Sequence, residues 1–164
     1  MAGDITLDKD VPHSIEAERS VLGAILIENT AINRAQEILK EADFYRDPHR
    51  KIFKAMNDLS EKTTAIDTVT VKEELSRAGE LDAVGGPAYI ASLIDGVPRS
   101  ANIEYYARIV KEKAILRSLI EAGGRIVSTA YEASQEPDDI LDESERLIFQ
   151  IAEALRTGIS QGEI

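Results

Sequence analysis

The chain has 164 residues, with 30 acidic against 19 basic side chains and a formal net charge of −11 at pH 7. So acidic a surface repels phosphate backbones, and 5% aromatic residues without tryptophan offer few platforms for base stacking, so no strong nucleic-acid binding by the chain itself is expected. Cysteine is absent, which excludes disulfides, thiolate-bound zinc and thiol nucleophiles, while 43% hydrophobic residues suffice for a core. No apolar stretch is long enough to span a membrane, and MAGDITLDKD lacks the basic start and apolar core of a signal peptide, so a cytoplasmic location is expected.

Helical spacing dominates from the start. Ser14 is placed to cap a helix through Ile27, whose apolar stripe is Ile15, Leu22, Ile25 and Leu26. A second helix, Ala31 to Lys40, follows the capping residues Asn29 and Thr30 and carries Ile32, Ala35, Ile38 and Leu39. Asp47-Pro48 reads as a cap followed by proline in the first turn, opening a third helix that buries Ile52, Phe53, Met56 and Leu59. The fourth runs from Asp67 to a left-handed cap at Gly79, with Val69 or Val71 and Leu75 as its core residues. A short fifth helix, Gly86-Pro87 to about Asp95, presents Tyr89, Ile90, Leu93 and Ile94. Period-2 alternation is not sustained anywhere, so the predicted class is all-α with no sheet.

The turn Asp95-Gly96-Val97-Pro98 separates this head from two long helical runs. The first, Ala101 to Tyr131, predicts a rod of roughly 46 Å at about 1.5 Å per residue. Glu136-Pro137 ends it, and the second runs from Asp138 to Leu155 with a seam at Ile140, Ser144, Leu147, Ile151 and Leu155. A short loop between long helices predicts an antiparallel hairpin. The expected divisions are a flexible segment 1–12, a head of about five helices over 13–98, a hairpin over 99–156, and a frayed tail or linker over 157–164. Ile103, Ala107, Val110 and Ala114 form one stripe on the first rod, but Ile109, Leu116, Leu119, Ile120, Ile126 and Val127 spread beyond it. That surplus requires a second hairpin or another protein to cover it. Gly123-Gly124 sits in mid-rod, where each glycine costs about 1 kcal/mol against alanine, and reads either as a kink or close helix approach, or as a hinge.

Catalytic signatures are missing. There is no G-x-x-x-x-G-K-[ST] phosphate loop and no G-x-S-x-G elbow, and Gly85-Gly86-Pro87 reads as a loop leading into a helix. His13 and His49 lie at helix starts and read as solvated or capping groups; position 10 is Asp and position 46 is Arg, so neither completes the Glu-x-x-His of di-iron bundles. The acids Asp138, Asp139, Asp142, Glu143 and Glu145 cluster where the macrodipole favours them. No metal site, cofactor or enzymatic activity is expected of this segment.

A series of phrases in fixed order is specific. Pro12-His13-Ser14-Ile15-Glu16-Ala17-Glu18 and Ser20-Val21-Leu22-Gly23 are followed by Asp43-Phe44-Tyr45 and Pro48-His49-Arg50-Lys51-Ile52-Phe53. Then come Gly79-Glu80-Leu81, Val84-Gly85-Gly86 with Tyr89, and Asn102-Ile103 with Tyr106-Ala107. From about Val11 to Ala154 the chain resembles the amino-terminal domain of bacterial DnaB-type replicative DNA helicases. The resemblance implies a helical head with a hairpin, hairpins pairing two subunits, three pairs forming a collar on a hexamer, and docking of a DnaG-type primase. It further implies a RecA-like ATPase domain using ATP and magnesium after this segment. By the same resemblance, Tyr89, Arg117, Ile120 and Ile126 face the primase, whereas Ile140, Leu147, Ile151 and Leu155 serve hairpin and dimer packing. Each first-group residue has another reading: Tyr89 in the head core, Ile120 and Ile126 in a dimer core, Arg117 solvated. The alternative for the whole chain is a stand-alone homodimeric helical adaptor unrelated to unwinding.

Overall fold

Seven α-helices and one 3₁₀ turn make up the regular structure of the computed structural model, which describes residues 10–97 and 102–160. The helices are α1 (Ile15–Ile27), α2 (Ala31–Ile38), α3 (Asp47–Glu61), α4 (Thr68–Arg77), α5 (Gly86–Asp95), α6 (Ile103–Glu132) and α7 (Pro137–Ser160), with the 3₁₀ turn at Glu41–Asp43. There is no strand among the described residues, in line with the all-α expectation. The expectations for residues 1–9, for Pro98 to Ala101 and for the tail after Ser160 lie outside the described residues.

The head is built around α1. Its sequence is apolar on nearly every side, and it packs against α2, α3, α5 and α6 at once. Ser14 caps it by accepting the Ala17 amide at 3.2 Å. Gly23 marks a close crossing, since a Cβ there would collide with the Leu93 carbonyl and the Val97 side chain. Val21, Leu22 and Ile25 of α1 meet Phe44, Ile52, Phe53 and Met56 in one core that extends to Ile90 and Leu93.

Local chemistry departs from the sequence reading at several points. Neither Asn29 nor Thr30 caps α2: the Asn29 amide bridges to the Ile66 backbone, accepting from its N–H at 2.7 Å and donating to its carbonyl, while Thr30 makes no capping bond. Asp47 is inside α3 and pairs with Lys51 at 2.7 Å instead of capping. Asp67 does cap α4, accepting the Thr70 amide at 2.8 Å, and Gly79 takes the left-handed conformation with φ of 72°. This cap sets the helical phase, so Val71 and Leu75 are buried whereas Val69, in the first turn, is 65% exposed. α7 continues to Ser160, past the predicted end at Leu155, because propagation adds a hydrogen bond for each residue fixed.

The first half of α6 is fastened to α1 and α2 by Ala107, Val110 and Ala114. The second half is covered on one side by α7, which turns back after Ala133 and reaches α2 again near its own end. Arg34 of α2 and Glu104 of α6 form a further link at 3.0 Å. At about 1.5 Å per residue the 30 residues of α6 extend about 45 Å. The helix runs without interruption through Gly123-Gly124, and a Cβ on either glycine would meet nothing within 4 Å. No close approach among the described residues therefore accounts for the pair.

Candidate docking site at the junction of head and hairpin

The junction is organised by the peptide groups of Asp43 to Arg46, which link the 3₁₀ turn to α3. Buried Phe44 anchors the segment, its ring 5.0 Å from that of Phe53. Backbone polar groups held in such a place need partners, and three helices supply ionised ones. Glu18 of α1 accepts the Tyr45 amide at 2.7 Å. Arg50 of α3 donates to the carbonyls of Phe44 at 2.7 Å and Tyr45 at 3.2 Å. Arg117 of α6 donates to the carbonyls of Asp43 at 2.7 Å and Pro12 at 2.8 Å, with its guanidinium 5.4 Å from the Tyr45 ring centre. Burial pulls the Arg117 guanidinium below its ordinary pKa, opposed by the charges of Glu18 and Asp43. Arg117 is thus half-buried and engaged, not freely solvated.

Glu18 also begins a buried chain of hydrogen bonds. Its Oε1 lies 2.7 Å from Nδ1 of His49, whose Nε2 lies 2.6 Å from the Tyr89 hydroxyl. A carboxylate already accepting backbone amides acts as acceptor again, which places the ring proton on Nδ1. With Nδ1 directed at the carboxylate, Nε2 is left to pair with the Tyr89 hydroxyl. His49 is fully buried and its ring stacks on Tyr89 at 5.9 Å, which corrects its reading as a solvated or capping group. The physical reason is a polar partner at each end, without which burial of the ring nitrogens would be costly. His13 stacks on Tyr45 at 4.3 Å. Lys111, another buried charge, pairs with Asp43 at 3.1 Å.

The residues singled out by resemblance therefore fall into three surroundings. Tyr89 and Arg117 both join the network around Tyr45 and Glu18. Ile126 is half-buried and lines a narrow cleft with Ile140 and Leu147 of α7. Ile120 is 37% exposed, and six helical residues place it about 120° around α6 from Ile126, so the two do not share a face. On α7, Ile140, Leu147, Ile151 and Leu155 are half-buried, while Leu141, Ile148 and Phe149 are exposed. Leu116, Leu119, Val127 and Tyr131 continue the exposed apolar surface on α6. Glu18, His49 and Arg50 lie within the phrases that carry the resemblance, but the sequence assigned no role to Glu18 or Arg50 and only a solvated or capping one to His49. The available signal was a glutamate within a helix otherwise destined for the core. Among the described residues, no group of three or more His, Cys, Asp or Glu could hold a metal ion, and no helix is long and apolar enough to cross a membrane.

Comparison with known proteins matches residues 10–112 to a family described as the DnaB-like helicase N terminal domain. The replicative DNA helicase DnaB of Geobacillus stearothermophilus is 44% identical over 147 residues, covering 90% of this chain and 32% of that protein. The replicative DNA helicase DnaC of Bacillus subtilis is 42% identical over 158 residues, covering 96% of this chain and 35% of its relative. The chain thus spans about a third of the length of these curated relatives. Among solved structures, the N-terminal domain of DnaB helicase from Mycobacterium tuberculosis superposes with a TM-score of 0.82 at 40% identity, covering 86% of this chain and 99% of that one. A structure of a DnaB-like replicative helicase, solved with attention to its interactions with primase, gives a TM-score of 0.68 at 25% identity, over 92% of this chain and 35% of the other.

Proposed function

Because the chain belongs to the DnaB-like helicase N-terminal domain family, we propose that it is a non-catalytic assembly and docking module of a replicative DNA helicase in the cytoplasm. It pairs with a second copy through the hairpin, three such pairs form the collar of a hexamer, and the collar docks a DnaG-type primase. Nucleotide hydrolysis with ATP and magnesium, and the grip on DNA, belong to a motor domain that follows α7, whose helix runs through to Ser160 where a linker was expected from residue 157. Tyr89, Arg117 and Ile120 contribute to the primase-facing side, Ile126 contributes from the separate face where it meets α7, and Ile140, Leu147, Ile151 and Leu155 serve packing within and between hairpins.

The observation that carries the reading is the uncovered apolar surface of the hairpin. Phe149 is 61% exposed and Tyr131 84% exposed, with Leu116, Val127, Leu141 and Ile148 also open to solvent. Apolar surface of this extent on a soluble domain marks an interface. The solved relative with primase interactions supports the choice of docking partner. Sedimentation over a concentration series tests the pairing, and calorimetric titration with the carboxyl-terminal domain of the cognate primase tests the docking. A mass that rises with concentration and a complex at tens of micromolar are expected. A domain that stays monomeric and inert toward primase would refute both parts.

A further inference from the structure

The surface around Tyr89 departs from the acidic character of the chain. Arg19 of α1 and Arg46, just before α3, place their guanidinium carbons 5.3 Å and 5.9 Å from the centre of the Tyr89 ring. Among the described residues, neither has a carboxylate within ion-pair distance. Arg19 donates to the Ser92 carbonyl at 3.3 Å, and the Arg46 side chain is exposed. The neighbouring acids do not answer them. Glu18 is occupied by His49 and the Tyr45 amide, and Asp47 by Lys51. Beside Arg19 lies a hollow of about 340 Å³ with Ile15 and Leu93 on its apolar side and Glu16 in its wall.

Two guanidinium groups beside one aromatic ring, neither paired with a carboxylate among the described residues, on a protein of net charge −11, invite an anionic group of limited size. A planar carboxylate matches the guanidinium fork, while an extended phosphate backbone would meet the repulsion of the remaining surface. We propose that Arg19 and Arg46 receive a carboxylate from an acidic segment of the docking protein, with an adjoining apolar side chain of that segment entering the hollow beside Arg19. The inference rests on the docking role proposed above, and takes the carboxylate to be the primase's. Glu18 and His49 act as positioning residues: Glu18 orients the imidazole, whose hydrogen bond with the Tyr89 hydroxyl holds the ring beside the two arginines.

The test is titration of the domain with the carboxyl-terminal domain of the cognate primase at low and physiological salt. Arg46→Gln is expected to weaken binding about fivefold and to flatten its salt dependence, as for an ion pair at the edge of an interface. Arg46→Glu should weaken it further, and Arg46→Lys should retain part of the affinity. Arg46 is exposed, so unchanged far-ultraviolet helicity is expected throughout. If wild-type protein binds while Arg46→Glu and Arg19→Gln keep both its affinity and its salt slope, the carboxylate contact is refuted and docking stands. If wild-type protein forms no complex, both fall. Displacement of primase by a single-stranded oligonucleotide, or tighter binding after removal of residues 1–9, would assign the arginines to another anion and overturn the proposal.

Discussion

At the scale of single residues, buried charge is the decisive feature. Glu18 is 1% exposed and would be expensive to bury alone; two backbone amides and the His49 ring make it tolerable. Glu18→Leu removes the acceptor for those donors at once, so a loss of about 3 kcal/mol is expected, read from urea denaturation. The His49→Leu variant should add much less in the Glu18→Leu background than alone, because both act through one network. These roles were illegible in the sequence. A glutamate and a histidine 31 positions apart carry no mark of contact, and the same letters describe a solvated pair. Capping asparagine and aspartate are a milder case: Asn29 and Asp47 have capping chemistry, but a tertiary partner at Ile66 and a same-helix partner at Lys51 compete for it.

At the scale of elements, the sequence was far more informative. Ser14, Asp67, Gly79 and Pro137 each mark a helix boundary by backbone chemistry that needs no distant partner, and the structure follows them. The phase of a helix is less visible when its first turn carries several β-branched residues, which is why Val69 competed with Val71. Between elements, the link of α2 to α6 through Arg34 and Glu104 is legible only in three dimensions. The Glu104 carboxyl is held below its ordinary pKa of 4.5, chiefly by the hydrogen bond from Arg34. A carboxylate with a folded-state pKa below its unfolded value stabilises the fold above the unfolded value and loses that contribution as pH falls through the folded one. Wild-type protein should therefore melt above Glu104→Gln at pH 7, with the gap closing below pH 4.5 as Glu104 protonates. The link is only half-buried, so the gap should be small and should shrink with salt.

At the scale of the whole molecule, the head closes around one apolar core, whereas the hairpin leaves much of its apolar surface open. The excess of apolar residues on the rods was visible in the sequence, because 3.6-residue periodicity assigns each a direction and one partner helix covers only part of the circumference. Ile120→Asp places a charge on that open side, and it is expected to lower dimerisation or primase affinity by about tenfold without changing helicity; sedimentation and calorimetry check each. What periodicity could not assign was the environment of Gly123-Gly124. Both glycines sit amid Ile120, Val127 and Tyr131, with free space where a side chain would stand. An unshielded stretch without side chains has the weakest local hold on its own backbone hydrogen bonds. Amide deuterium uptake along α6 should consequently be fastest at its waist and slower toward the root at Ala107 and Val110. Gly123→Ala and Gly124→Ala, which meet no obstacle within the chain, should slow that uptake by strengthening the helix about 1 kcal/mol each. The long arm would then be a pair of stiffer segments joined at a yielding point, able to take up small differences in angle between the paired copies proposed above.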